Sequence, residues 1–300
     1  MRLAQFEDER GKLIGLWLGG RWVNFSAAMR IYSMVVERKE IVAIPTMDQM
    51  FQEGNFDLDS FRRVSNFVDK HKLAGHLNVS DKAVVKAPLS RPGKIIALGR
   101  NYVLHAKEAR LPVPKEPIIF EKASSSVTGP YDTVQIPREY GRIDHEAELA
   151  VVIGRRASKV GKREAFGYVA GYTIVQDITA RDLQNADLAE NNPWFRSKSF
   201  DTFTPMGPWL VLTDEIKPPI NLKIECMVNG KVRQKANTRD LVFNIPTMIE
   251  FITRHITLEP GDVISTGTPE GIGEIRGGDT ITTRIAGLGE MKNSVRFTAR

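Results

Sequence analysis

The stretch IDHEAELAVVIG, residues 143–154, places Glu146 and Glu148 two residues apart in an apolar, strand-like run. Alternate residues of a strand project from one face, so the two carboxylates stand about 6–7 Å apart on the same side. Downstream, GYTIVQDITARDLQ ends a second apolar run on Asp177. Acidic residues are unusual in strand interiors. Convergence of the three would be costly. Like charges at ~6 Å in an effective dielectric of ~20 repel by roughly 3 kcal/mol per pair. Three such pairs approach the ~5–15 kcal/mol that holds a typical fold together. The cluster therefore needs protons or a cation. An all-oxygen donor set selects a hard ion, Mg²⁺ or Mn²⁺ with Ca²⁺ behind them, over zinc. The plainer reading of Glu-x-Glu is a solvated face of an edge strand. His145 adjoins Glu146 and so projects from the opposite face; it is expected in the core or in a supporting position, not as a ligand.

In RNYVLHAKEA, His105 and Glu108 are three apart. On a helix they share a face, and a carboxylate holding one imidazole nitrogen leaves the other to take a proton from water. An exposed helical charge pair is the alternative. Lys198, in WFRSKSF, lies among aromatic residues: either a desolvated ammonium aimed at a developing anion or a surface lysine laid along apolar neighbours. The run TGTPEGIG (266–273) follows the strand-like DVIS as a Gly/Pro-punctuated turn. Its backbone amides, Gly267 among them, and the Thr268 hydroxyl can bind a carboxylate; a plain turn is the other possibility. A phosphate loop of the G-x-x-x-x-G-K-[ST] type is absent, which argues against nucleotide binding.

These residues need a scaffold. The 300-residue chain is 42% hydrophobic and 26% charged, ordinary for a globular protein of about two domains. No apolar run approaches the ~20 residues that span a bilayer. MRLAQFEDER turns acidic and polar where a signal peptide carries its apolar stretch, so a cytoplasmic location is expected. The single cysteine, Cys226, forms no intrachain disulfide and sits in the strand-like KIECMV, as a buried structural thiol would. A net charge of +6 could attract anions, but the 42 basic and 36 acidic residues are interspersed, which argues against nucleic-acid binding.

Residues 1–86 read as a small α+β module. A hairpin turns at Gly19-Gly20, and a helix follows Ser26 as N-cap through Lys39, with Ile31, Met34 and Val35 on one face. A second helix follows Asp59 or Ser60, with Phe61, Val64, Phe67 and Val68 at helical spacing. APLSRPG (87–93) reads as a linker. From 94 to 300 short strand-like runs dominate, from KIIALG to SVRFTA, with sparse helical pattern at Asn101–Arg110, Arg163–Phe166, Arg181–Glu190 and Ile245–His255. Many short strands and few helices indicate a mainly β roll, barrel or sandwich.

Residues 94 to about 298 resemble the fumarylacetoacetate hydrolase domain family. The resemblance rests on GRNYVLHAKE, EPIIFEKASSS, IDHEAELAVVIG, GYTIVQDITARDLQ, WFRSKSFDTFTPMGP, VNGKVRQ and DVISTGTPEGIG in that order. It implies a mixed β-roll with some α, bound Mg²⁺ or Mn²⁺, and Glu146, Glu148 and Asp177 as metal ligands. It also implies a His105–Glu108 dyad on a lid segment and Lys198 in the active site. Gln184 and Thr268 would hold the substrate carboxylate, with Arg181 and Gly267 in the same segments. The implied chemistry is C–C hydrolysis of a 2,4-dioxo acid with release of pyruvate. The alternatives are oxaloacetate decarboxylation and isomerisation or tautomerisation of a hydroxy-dienedioate. The resemblance further implies a homodimer. Arg100, Arg196, Leu111 and Val113 are open candidates for the distal half of the substrate.

Overall fold

A computed structural model describes residues 1–298; the last residue of the SVRFTA run and the C-terminal arginine lie outside the described residues. The fold is mainly β. An 11-stranded sheet runs, in spatial order, through Arg21–Asn24, Gly11–Leu18, Arg2–Asp8, Thr204–Leu212, Val169–Gln176, Ala147–Ile153, Val263–Ser265, Ile95–Gly99 and Ile118–Lys122. Two short strands, Val84–Lys86 and Val127–Thr128, pair onto its flank. A five-stranded sheet packs against it, and a three-stranded ribbon joins Thr179–Ala180, Ile143–His145 and Gly273–Glu274. No helix among the described residues is long and apolar enough to cross a membrane.

The strand Ala147–Ile153 organises the core. It is buried along its whole length, as a central strand covered on both faces must be. Its odd-numbered side chains, Leu149, Val151 and Ile153, enter the core shared with the five-stranded sheet. Its even-numbered ones, Ala150 and Val152, pack with Leu3, Leu16, Phe61 and Val64 from the N-terminal part. That part is also continuous with the large sheet: Arg2 and Leu3 pair with Val211 and Leu210. Ala87 and Leu89, within the expected linker, are buried.

Local chemistry explains the element boundaries. Gly19 and Gly20 take φ of +57° and +83°, and Leu18 pairs with Arg21 across a two-residue turn. The first helix, Phe25–Tyr32, is capped not by Ser26 but by Asn24, whose side-chain oxygen accepts from the Ala27 N–H at 2.9 Å. Ser26 instead ties the strand Gly11–Leu18 to the loop after the helix, accepting from the Ile14 N–H and donating to the Ile44 carbonyl. A π-turn at Ser33–Glu37 follows and ends at Arg38 with φ +54°. The wider turn rotates Met34 and Val35 out to solvent. The next long helix, Leu58–Lys70, begins one residue before the expected caps because Asp57 accepts from the Asp59 and Ser60 N–H groups. Phe61, Val64, Phe67 and Val68 are buried as their spacing requires. Arg163–Phe166 yields only a 3₁₀ turn, Ala165–Tyr168.

Candidate active site

Glu146 occupies the break between the strands Ile143–His145 and Ala147–Ile153, and Asp177 follows Val169–Gln176 directly. Antiparallel pairing of Ala147 with Gln176 and of Glu148 with Val175 brings the three acids to one end of the sheet. One carboxylate oxygen from each of Glu146, Glu148 and Asp177 lies within 4.8 Å of the others, all three side chains being buried. The backbone here is fixed by Gln176, whose side-chain oxygen accepts from the Glu146 N–H at 2.9 Å while its amide donates to Thr283 at 2.7 Å.

Three side-chain cations already meet much of the repulsion that the sequence argument assigned to protons or a metal. Lys198 Nζ donates to Glu146 Oε2 at 2.9 Å and to Asp177 Oδ2 at 2.5 Å. Arg181 donates to Glu146 Oε1 and, at 2.8 Å, to Asp144 Oδ2, while a second arginine, Arg142, donates to Asp144 Oδ1 at 2.6 Å. Lys122, fully buried, donates to Asp177 Oδ1 at 2.7 Å and to the carbonyls of Lys198 and Ile178. Burial lowers the Lys122 ammonium, with Asp177 opposing; three acceptors around Nζ engage all its protons and hold it as a cation. Burial also opposes charge on Glu146, but Lys198 and Arg181 overcome it and hold the carboxyl far below the ordinary range. Lys198 is raised: burial pulls it down, and Asp177 and Glu146 more than reverse that.

Glu148 differs. It accepts from the Ser265 hydroxyl at 2.6 Å and the Gly267 N–H at 2.8 Å, and no ammonium or guanidinium contacts it among the described residues. Burial, with the Asp177 charge beside it, pushes its carboxyl up to about 8. A divalent cation among these oxygens would replace that proton, and the donors, all carboxylate, suit Mg²⁺ or Mn²⁺. The residues present therefore fit such an ion.

His105 and Glu108 sit on the short helix Val103–Glu108, facing the acids across a cleft of about 750 Å³. His105 Nδ1 lies 3.4 Å from Glu108 Oε2, and both Glu108 oxygens accept from the Gly271 N–H at 3.1 and 3.2 Å. Gly271 has φ +89°, and a Cβ there would stand 2.0 Å from the Arg233 carbonyl. Only glycine brings that amide to Glu108. On the opposite wall Phe120 meets the Trp194 ring edge-on at 5.2 Å, and Lys198 Nζ lies 5.0 Å from the Phe120 centroid.

Gln184, on the helix Arg181–Ala189, lines the cleft, and its side-chain oxygen accepts from Arg181 at 2.5 Å. Thr268 also lines it, but its hydroxyl donates to the Ala147 carbonyl at 3.1 Å and accepts from Gln234 at 2.7 Å. Gly267 is not among the lining residues, and its N–H goes to Glu148. His145 projects away, Nδ1 meeting Gln234 at 3.2 Å with Cys226 at 3.6 Å, consistent with its place on the opposite face. Arg100 and Leu111 line the cleft; Arg196 and Val113 do not. Sequence reasoning passed over Lys122, Asp144, Ser265 and Gln234. Lys122 carried a signal, a charge closing the apolar run IIFEK; the others became visible only through pairing.

Residues 94–296 match the family described as fumarylacetoacetate (FAA) hydrolase C-terminal. The chain is 39% identical over 304 residues to oxaloacetate tautomerase FAHD2A, mitochondrial, of Homo sapiens, covering 98% of this chain and 91% of that protein. Among solved structures, maleylpyruvate hydrolase from Sphingobium sp. SYK-6, in complex with manganese(II) ion and pyruvate, is 31% identical with a TM-score of 0.77, covering 100% of both chains. The 5-carboxymethyl-2-hydroxymuconate delta-isomerase from Mycobacterium smegmatis is 31% identical with a TM-score of 0.72, again over 100% of both. Hydrolases, isomerases and tautomerases thus share this architecture, and this chain belongs to the fumarylacetoacetate hydrolase family.

Proposed function

We propose that the chain is a Mg²⁺- or Mn²⁺-dependent enzyme that interconverts the keto and enol forms of a small 2-oxo acid of the oxaloacetate type. The observation that carries the reading is the opposition of an oriented His–Glu pair to three buried carboxylates across one cleft. A divalent ion held by Glu146, Glu148 and Asp177 would supply Lewis-acid polarisation of the 2-keto group.

The chain's own residues divide the remaining work. The Gln184 amide, fixed through Arg181, donates to the substrate's 1-carboxylate, and the Arg181 charge lies behind it. His105 takes the proton from C3 through Nε2 and delivers it to the 2-oxygen, the reverse order regenerating the keto form, while Glu108 holds Nδ1 and stabilises the imidazolium as it forms. Lys198 stays cationic beside Glu146 and Asp177, so it stabilises developing oxygen charge and does not serve as the base. Gly267 acts on Glu148, not on substrate, and Thr268 shapes the cleft through its bonds to Ala147 and Gln234. Residues 1–86, joined to the same large sheet, buttress the even-numbered face of the strand bearing Glu148.

A second reading, C–C hydrolysis of 2,4-dioxo acids, is favoured by the cleft itself. Its ~750 Å³ exceeds what a four-carbon acid fills, and Leu98, Leu111, Phe120 and Trp194 give it an apolar side suited to an acyl tail. Here the same His105 nitrogen activates water for attack at C4. Decay of enol-oxaloacetate absorbance, measured beside pyruvate release from acetylpyruvate and fumarylpyruvate, separates the two. Tautomerisation without pyruvate release is the expected result; turnover of none of the three, with Mn²⁺ present, would overturn both readings.

A further inference from the structure

Four arginines stand in or near the cleft, and three are matched. Arg142 and Arg181 share Asp144, and Arg196 grips the buried Asp187 at 2.5 Å outside the cavity. Arg100 is the exception. It lines the cleft, and among the described residues no carboxylate reaches it. Among the described residues its guanidinium makes one bond, from Nη1 to the Pro112 carbonyl at 3.3 Å, and its Nε is buried with no partner.

The backbone from which this unmatched guanidinium projects is fixed. Arg100 follows the strand Ile95–Gly99 in a left-handed conformation, φ +54°, a strained state for a non-glycine residue unless its surroundings impose it. The next residue imposes it. Asn101 is fully buried, its amide donating to the carbonyls of Phe243 and Thr266 and its oxygen accepting from the Phe243 N–H. Asn101 also packs on Gly267, where a Cβ would approach its own Cβ to 2.8 Å, and Gly267 is the residue that holds Glu148. Arg100 is thus anchored to the framework that positions the carboxylate cluster. A guanidinium on an anchored backbone, with an unmet buried donor and no carboxylate partner, suits a planar anion.

We propose that Arg100 is the specificity-determining residue for the end of the substrate away from the 2-oxo acid head. It receives a second carboxylate, so that 2-oxo dicarboxylates are preferred over monocarboxylates of the same length. This rests on the reading of the acid cluster as a 2-oxo acid site. Pro112 lies just beyond the His105 helix, so the same guanidinium links a bound diacid to the segment that carries the base.

The test is calorimetry on the Mn²⁺-loaded protein with pyruvate, 2-oxoglutarate and 2-oxopentanoate, the last two differing only in the distal carboxylate. Wild type should bind 2-oxoglutarate at least ~10-fold more tightly than 2-oxopentanoate, the scale of one charge-assisted bond. In Arg100→Gln the ratio should collapse toward one. Because the ratio is read within each protein, general damage to the fold does not imitate the result. Equal affinity for the two five-carbon acids in wild type, or a ratio that survives in Arg100→Gln, would overturn the assignment while pyruvate binding left the head-group reading standing. Failure of pyruvate and both five-carbon acids to bind would take the assignment down with the reading on which it rests.

Discussion

Lys122→Met removes a buried ammonium and leaves a side chain of similar volume. Lys122 lies 2.7 Å from Asp177 Oδ1; at that distance in an effective dielectric of ~20 the gross attraction is about 6 kcal/mol. Burial of the ammonium offsets part of it. Breaking a buried pair from one side typically costs ~3–5 kcal/mol, because the partner charge stays buried. The carbonyls of Lys198 and Ile178 lose a donor as well. For a chain of this size ~2 °C per kcal/mol is a reasonable conversion, so melting in chelator should fall by about 6–10 °C. The ion site should respond in the opposite sense. With one fewer cation nearby and Asp177 Oδ1 released, Mn²⁺ affinity should rise at least ~10-fold, about 1.4 kcal/mol. Mn²⁺ should therefore raise the melting temperature of the variant more than that of wild type. Scanning calorimetry with chelator and across a Mn²⁺ titration reads both effects. A loss below ~2 °C in chelator would refute the ion-pair argument, and weaker Mn²⁺ binding would show that Lys122 serves the site by aiming Asp177 and not by competing for its charge.

Other consequences can be checked separately. His105→Asn should reduce turnover by ~10²-fold or more while Mn²⁺ affinity, read by the electron-spin signal of free ion, stays within about twofold; an unimpaired rate would remove the dyad from the mechanism. Gly267→Ala forces a Cβ against Asn101 at 2.8 Å with φ +97°, so a loss of roughly 2–4 kcal/mol and weakened Mn²⁺ binding are expected in melting scans. Glu148, pushed up to about 8 by burial and Asp177 from an ordinary 4.5, keeps a proton in the metal-free fold that the unfolded chain has lost between those values. Metal-free stability should therefore fall as pH rises across that window and level off above it. Mn²⁺ binding at pH 7 should accordingly release close to one proton, vanishing near pH 9; calorimetry in buffers of differing ionisation enthalpy would show a pH-independent count if this is wrong. Cys226, its thiol pushed up to about 12 by burial, should react with a thiol reagent only after denaturant is added, and prompt labelling of native protein would contradict its place in the core.

The carboxylate cluster was legible because a two-residue spacing in extended chain puts Glu146 and Glu148 on one side and His145 on the other, and the break between strands at Glu146 leaves that alternation intact. The His105–Glu108 pair was legible for the parallel reason on a helix. What escaped depends on partners remote in sequence. Lys122 meets Asp177 across 55 residues and Ser265 meets Glu148 across 117, distances over which no local pattern carries information. The Asn24 cap was missed because Ser26 offers an equally plausible hydroxyl, and only the competing bonds to Ile14 and Ile44 decide between them. The first strand, Arg2–Asp8, hid behind the charged residues at its end, which serve the edge of the hairpin.

Charge balance links the apo cluster to the substrate it suits. Asp144, Glu146, Glu148 and Asp177 face Arg142, Arg181, Lys122 and Lys198, so the floor of the cleft is neutral when every acid is ionised. Only Glu148 lacks a contacting cation, and it is the acid whose carboxyl is pushed up to about 8; the balance is therefore completed by a proton at pH 7, which leaves one net positive charge. A divalent ion in place of that proton raises the excess to two. An anion of one charge would leave a buried positive site uncompensated, at a cost of several kcal/mol in a low-dielectric cleft. A dianion cancels it: Arg100 on the cleft wall gives the second negative group a partner, and the charges of Arg100 and Glu108, both lining the cleft, offset each other. A monocarboxylate and a dicarboxylate of equal length should consequently diverge in their salt dependence, the dianion losing affinity more steeply between 50 and 500 mM salt as screening shortens the reach of these charges. Identical salt slopes for 2-oxoglutarate and 2-oxopentanoate would show that the floor's charges do not reach the distal end of the ligand.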